Sequence, residues 1–222
     1  ICAHPLLLTS VSDSSSAAPP NLPPLRDVIE KHQLRAKKKF GQNFLLDSNI
    51  TDKIARSVRL EGKYVIEIGP GPGGLTRSLL NSGAEKVTVI ELDERLIPAL
   101  NDLQEAYGPA RLEILQTDAL EYDFSRLPDG CVIVANLPYN IATPLVLKWM
   151  HDLEDRPELF SSLTLMFQKE VAQRLTAAPG SRSYGRLAVI CQFMCEARCL
   201  FDLPPTAFTP PPKVTSSIVQ MI

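Results

Sequence analysis

Long apolar runs are missing from this 222-residue sequence. None approaches the roughly 18 residues that a membrane-spanning helix needs, so no spanning helix is expected. Leu6-Leu7-Leu8 has no basic residue ahead of it, which argues against a secretory signal. No arginine precedes Arg26, which argues against a mitochondrial or plastid transit peptide. Cysteine is sparse, with five residues, an odd number, and no Cys-x-x-Cys pair. These read as reduced thiols, which excludes a disulfide scaffold and points to a cytoplasmic setting. Cys191, Cys195 and Cys199 recur every four residues. With no nearby histidine or fourth thiol they read as core packing, and no metal is expected.

Charge of one sign is also lacking. The net charge of −2 excludes a uniformly basic nucleic-acid binder, but the distribution is uneven. Residues 1–60 carry a balance of +4, residues 161–222 carry +3, and the hundred between them carry −9. A cationic edge on an acidic body suits docking of a polyanion at one place.

Residues 1–24 are rich in Ser, Ala and Pro and read as a disordered leader. The first residue is Ile, which points to a start inside a longer chain. A basic arm with helices follows over 25–60, and one α/β domain over 61–222. Leu25 to Gln33 is expected to be helical and leads into Arg35-Ala36-Lys37-Lys38-Lys39. Four cations in five positions suit phosphate contact, although a solvated basic turn has the same composition. An amphipathic helix is expected at 48–59, capped by Asp47 or Ser48, with Ile50, Ile54 and Val58 on one face.

Four short apolar runs then end in polar residues. Tyr64–Ile68 runs into Gly69-Pro70-Gly71-Pro72-Gly73-Gly74 and a helix over 75–82, the strand–glycines–helix context of a nucleotide-type loop. Val87–Ile90 ends at Glu91, 22 positions after Gly69, where a carboxylate can accept from both hydroxyls of a ribose. Leu112–Leu115 leads to Asp118, suited to an adenine amino group. Cys131–Ala135 ends at Asn136-Leu137-Pro138-Tyr139. Further on, helices are expected at 143–150, 169–178 and 187–194, and strands at 163–167 and 213–222. Phe201 to Pro212, with five prolines, reads as an extended loop.

The tetrapeptide suits an exocyclic amine on a planar ring. Such an amine is a poor nucleophile until both N–H groups find acceptors and the lone pair turns outward. The Asn136 side-chain oxygen and the Leu137 carbonyl are the two candidate acceptors. Pro138 brings no competing N–H, and Tyr139 offers a stacking face. A strand-ending Asn-x-Pro turn with a packed tyrosine is the plainer reading of these four residues alone. The nucleoside-suited strand ends beside them favour S-adenosylmethionine as cofactor. NAD could use the glycine loop, but hydride transfer gives no role to Asn-Leu-Pro-Tyr.

The assembled motifs resemble the ribosomal RNA adenine N6,N6-dimethyltransferase family. The resemblance rests on Lys39-Phe40-Gly41-Gln42-Asn43-Phe44-Leu45, Glu67-Ile68-Gly69-Pro70-Gly71, Val89-Ile90-Glu91-Leu92-Asp93 and Asn136-Leu137-Pro138-Tyr139-Asn140. It extends through Gln168-Lys169-Glu170-Val171, Tyr184-Gly185-Arg186-Leu187 and Ala207 to Val214. It implies a doubly wound, seven-stranded methyltransferase sheet with the last strand or two antiparallel. It implies a monomer that acts on two adjacent adenosines near the 3′ end of small-subunit rRNA, without a metal. The family's cofactor contacts fall on Asn43, Leu45, Gly69, Glu91, Asp118 and Asn136. Gln42 and Gly71, in the same motifs, complete the expected set. Arg35, Lys37, Lys38 and Lys39 are the expected RNA arm.

Two departures stand out. The family normally continues into a small helical C-terminal domain, and this sequence ends at Ile222 before it. Some members place a Phe three residues before the Gln of the fifth-strand motif, where Leu165 stands here. Phe167 is then the candidate for the second face of an adenine sandwich. Rival readings are the related large-subunit adenine methyltransferase of macrolide resistance, a DNA adenine methyltransferase, and a non-catalytic transcription factor resembling the family. The Leu in Asn-Leu-Pro-Tyr and the Pro-Pro-Pro-Lys run favour the small-subunit branch.

Overall fold

A computed structural model describes residues 19–37 and 41–222. Lys38, Lys39 and most of the expected leader lie outside the described residues. In chain order the elements are α1 (Leu25–Lys31), β1 (Phe44–Leu45), α2 (Ser48–Arg56), β2 (Tyr64–Ile68), α3 (Gly74–Asn81) and β3 (Lys86–Glu91). Then come α4 (Ile97–Tyr107), β4 (Leu112–Gln116), β5 (Cys131–Ala135), α5 (Tyr139–Asp155), β6 (Phe160–Gln168) and α6 (Lys169–Leu175). The chain continues with α7 (Arg186–Met194), β7 (Ala197–Leu203), β8 (Phe208–Thr209) and β9 (Ser216–Met221).

Seven strands form one sheet in the order β4-β3-β2-β5-β6-β9-β7. Neighbours from β4 through to β6 are parallel, and β9 is antiparallel to both β6 and β7. The central strands read as continuous apolar runs because helices cover both faces. Alternation sends Val65, Val87, Val89, Val132, Val134 and Met166 to one face, with Leu75, Leu79 and Leu100 of α3 and α4. Ile66, Ile68, Ile133, Leu163, Leu165 and Phe167 go to the other, with Leu145, Val146 and Trp149 of α5. Burying each such side chain contributes roughly 1.5–3 kcal/mol. Asp47 caps α2 by accepting from the Asn49 N–H at 2.9 Å, an arrangement worth about 1 kcal/mol.

Several elements differ from expectation, among them the two-residue strands β1 and β8, the second inside the proline-rich stretch. Phe201–Leu203 is not loop but the end of the edge strand β7. The prolines of that stretch begin only at Pro204, and β7 pairs on one side only, with β9. Helix α5 starts at Tyr139 rather than Thr143 and tolerates Pro144 near its start, with the loss of one intrahelical hydrogen bond. α4 fills a stretch where the sequence pattern predicts no element; Ala99, Leu100 and Leu103 anchor it.

The sheet reverses its order of winding between β2 and β5: β3 and β4 lie on one side of β2, β5 and β6 on the other. At such a switch point the loops leaving adjacent strand ends diverge and open a crevice. The glycine loop after β2 and Asn136 after β5 meet there. A separate two-stranded ladder pairs Phe44 with Thr209 and Leu45 with Phe208, bringing the arm and the proline-rich segment together.

Candidate active site

The crevice is a cleft of about 350 Å³ lined by the glycine loop, the ends of β3 to β5 and residues 41–45. Gly69 and Gly71 adopt positive φ of 65° and 59°. A β-carbon on Gly71 would stand 3.2 Å from the ring of Phe44, a tight contact, and the positive φ already favours glycine here. The loop then turns into α3 and leaves the space above it open.

Glu91 ends β3 and is buried. Its carboxylate accepts from the Asp93 N–H at 2.8 Å and from the Gly71 N–H at 3.3 Å. Burial pushes its pKa up to about 7 against these stabilising donors. Glu67, at the start of the glycine motif, is buried too and is pushed up to about 8 by burial, despite a 2.6 Å hydrogen bond from the Thr76 hydroxyl. The two Glu91 oxygens keep lone pairs beyond those taken by these backbone donors, and a vicinal diol could donate to them. Asp118 lines the cleft and accepts from the Leu120 N–H at 2.9 Å. Leu92, beside Glu91, is 52% exposed and lines the same cleft. An apolar side chain left open there suits the face of a planar base.

Asn136 stands at the end of β5. Its amide nitrogen donates to the Asn43 carbonyl at 3.1 Å, which leaves the side-chain oxygen without a partner in the described chain. No donor among the described residues engages the Leu137 carbonyl either. Two acceptors are thus held open at the cleft. Tyr139, half-buried, is the first residue of α5 and lines the cleft; its hydroxyl pairs with the Ser216 hydroxyl at 2.7 Å. Pro138 precedes it with φ −55°, ψ 128°, an extended geometry that ends the strand without needing an N–H partner.

Residues 41–45 reach the cleft through a polar relay. Gln42 donates to Asp93 at 2.9 Å, and its side-chain oxygen accepts from the Lys37 N–H at 2.9 Å. Arg95 donates to Asp93 at 2.9 Å and to the Arg35 carbonyl at 3.2 Å. These donors hold the Asp93 carboxyl below the ordinary range against the opposing effect of burial, which is the largest single influence on it. Arg35 and Lys37 are exposed at the root of the arm.

The cleft therefore brings together Gln42, Asn43, Leu45, Gly69, Gly71, Glu91, Asp118, Asn136, Leu137, Pro138 and Tyr139. Of these, Gln42 spends both polar ends of its side chain inside the chain, as a latch. Phe167 is not brought there: it is 1% exposed in the core on the α5 side of the sheet, where the alternation of β6 sends it. It presents no face for stacking. Phe44, Leu92, Asp93 and Ser216 are site residues that the sequence pattern did not single out. Phe44, Leu92 and Asp93 lie inside the motifs that carry the family resemblance, while Ser216 lies outside them.

The donors and gaps fit S-adenosylmethionine. A carboxylate with spare acceptor capacity, a glycine loop held at positive φ, an exposed leucine and a strand-end aspartate together suit an adenosine with a flexible tail. Among the described residues no group of three or more His, Cys, Asp or Glu is placed to hold a metal ion, and no helix is long and apolar enough to cross a membrane.

The family model described as ribosomal RNA adenine dimethylase matches residues 33–222. The sequence is 56% identical over 208 residues to "Ribosomal RNA small subunit methyltransferase A" of Mesorhizobium japonicum, covering 90% of this chain and 74% of the relative. It is 57% identical over 205 residues to the protein of the same name from Xanthobacter autotrophicus, covering 91% and 70%. Among solved structures, a dimethyladenosine transferase from Plasmodium falciparum superposes with TM-score 0.69 at 36% identity, over 79% of this chain and 62% of that one. The 23S rRNA methyltransferase ErmE superposes with TM-score 0.69 at 30% identity, over 81% and 69%.

Proposed function

The chain belongs to the ribosomal RNA adenine dimethylase family, and from that premise we propose that it methylates N6 of two adjacent adenosines near the 3′ end of small-subunit rRNA. The product is N6,N6-dimethyladenosine, made during ribosome biogenesis. The observation that carries this reading is the orientation of Asn136. Its N–H is committed to Asn43, so its oxygen and the Leu137 carbonyl remain as a pair of acceptors beside Tyr139.

When bound, S-adenosylmethionine supplies a methyl group already activated on a positively charged sulfur. Gly69, Gly71, Glu91, Leu92 and Asp118 hold the nucleoside end. The adenine to be modified leaves its helix and stacks on Tyr139. Its amine donates to Asn136 and Leu137, which draws the nitrogen out of conjugation and aims the lone pair at the methyl group. The nitrogen's proton becomes acidic on alkylation, so no strong base is required. Arg35 and the lysines of the arm contact the phosphate backbone. A cytoplasmic monomer working on the preassembled small subunit accords with this reading.

The test is transfer of a labelled methyl group to small ribosomal subunits that lack the modification. Naked large-subunit RNA and duplex DNA serve as controls, and product nucleosides are read by mass spectrometry. Dimethyladenosine on the small subunit alone is expected. Label on large-subunit RNA or DNA instead would overturn the substrate.

A further inference from the structure

Ser216 is fully buried at the first position of β9, where its Cα pairs with Gln168 on one side and Leu203 on the other. Its hydroxyl has one partner in the described chain, the phenol oxygen of Tyr139, at 2.7 Å. The start of β9 is itself pinned by the Lys169 N–H, which donates to the Thr215 carbonyl at 2.9 Å. The pair thus joins the first turn of α5 to a strand two places away in the sheet, separated from β5 by β6. Without it the half-buried ring of Tyr139, which lines the cleft, would lose the hydrogen bond that tethers its hydroxyl.

We propose that Ser216 is a positioning residue that fixes the ring of Tyr139 as a stacking platform, and that the second methyl transfer to each adenine depends on it more than the first. This rests on the function proposed above. In each transfer the amine nitrogen bonds to the methyl carbon, the carbon–sulfur bond breaks with its electron pair left on sulfur, and the nitrogen releases one proton. The first transfer begins with two N–H donors, matched by Asn136 and the Leu137 carbonyl. The second begins with one. A methyl group has taken the place of the other, and one of the two acceptors no longer restrains the base. Orientation in the plane then falls to the remaining hydrogen bond and to stacking, so precision in the platform matters most at that step.

The experiment compares Ser216→Ala and Tyr139→Phe, which delete the same hydrogen bond from opposite ends while keeping the aromatic face. The ratio of monomethyl- to dimethyladenosine on small subunits is measured at matched total transfer. Cofactor affinity is measured separately by calorimetry. Both variants are expected to raise the ratio by about three- to tenfold, the worth of one neutral hydrogen bond. Cofactor affinity is expected to stay at the wild-type level, and the double variant to match the singles. A lower total rate with the wild-type ratio, or additive effects in the double variant, would overturn the proposal. Tyr139→Phe alone decides the matter if the buried serine cannot be replaced without unfolding. A wild-type protein that makes no methylated adenosine would sink the underlying function instead, before either variant is compared.

Discussion

The Asn136 amide nitrogen and the Asn43 carbonyl lie 3.1 Å apart, across 93 positions of sequence. This one hydrogen bond joins the strand-end tetrapeptide to the basic arm and decides which way the amide faces. Replacing Asn136 by Ala removes the acceptor. Methyl transfer is expected to fall by about 10²–10³-fold, as for loss of a preorganised donor or acceptor at a reacting group, with an unchanged circular dichroism spectrum. Asn136→Asp is expected to be as inactive, because a carboxylate would repel the Asn43 carbonyl. Wild-type turnover by either folded variant would remove Asn136 from the mechanism.

Glu91 is expected to make cofactor binding depend on pH. Its carboxyl titrates near 7 because burial penalises the charge. A ribose diol donates to the charged form, so affinity should rise with pH through 7 and level off above it, with uptake of the ligand releasing a proton. Calorimetry at pH 6, 7 and 8 in buffers of differing ionisation enthalpy reads both effects. Glu91→Gln is expected to bind more weakly and to lose the pH dependence.

Glu67 makes stability, rather than binding, depend on pH. Burial lifts its folded-state pKa to about 8, above the ordinary 4.5. A raised acid contributes its stabilisation in full below the unfolded value and loses it as pH rises through the folded value. Stability should therefore decline between pH 4.5 and 8. Glu67→Gln keeps an acceptor for Thr76 and cannot ionise, so its melting temperature should exceed the wild type's at about pH 9 and not at about pH 4.5.

Gly71→Ala forces a side chain into positive φ and against Phe44. The left-handed conformation alone costs about 1–2 kcal/mol. Urea unfolding should show a loss of at least that size, with cofactor affinity lowered as the loop shifts. An unchanged midpoint would mean that the loop relaxes freely.

Gln42 is expected to act on RNA rather than on cofactor, since its side chain bridges Asp93 and the Lys37 backbone. Gln42→Ala should weaken RNA binding while cofactor affinity changes little. Neutralising Lys37, Lys38 and Lys39 together should lower the salt slope of RNA binding by about 0.7–0.9 for every phosphate those lysines had neutralised. An unchanged slope would make the arm a solvated turn.

By itself the sequence placed the strands of the parallel part of the sheet, β2 to β6, and their polar ends. Four or five mostly apolar residues that run into glycine, glutamate or asparagine read as short buried strands, and Gly69, Glu91, Asp118 and Asn136 stood where such strands stop. It also determined the family, through motifs of contiguous residues. Only the tertiary structure decided what those residues face. Phe167 and Leu165 both fall on the core side of β6, because pairing with β5 and β9 leaves no other register, so neither reaches the cleft. The last part of the 197–203 stretch is strand because β9 supplies its hydrogen-bond partners, from Ser216 onward, and local propensity does not report a partner so distant in sequence. Gln42 lines the cleft as its motif suggests, and only folding ties its side chain to Asp93 at 2.9 Å. Ser216 carried no signal at all, since a serine at a strand start is commonplace until folding sets a tyrosine hydroxyl against it.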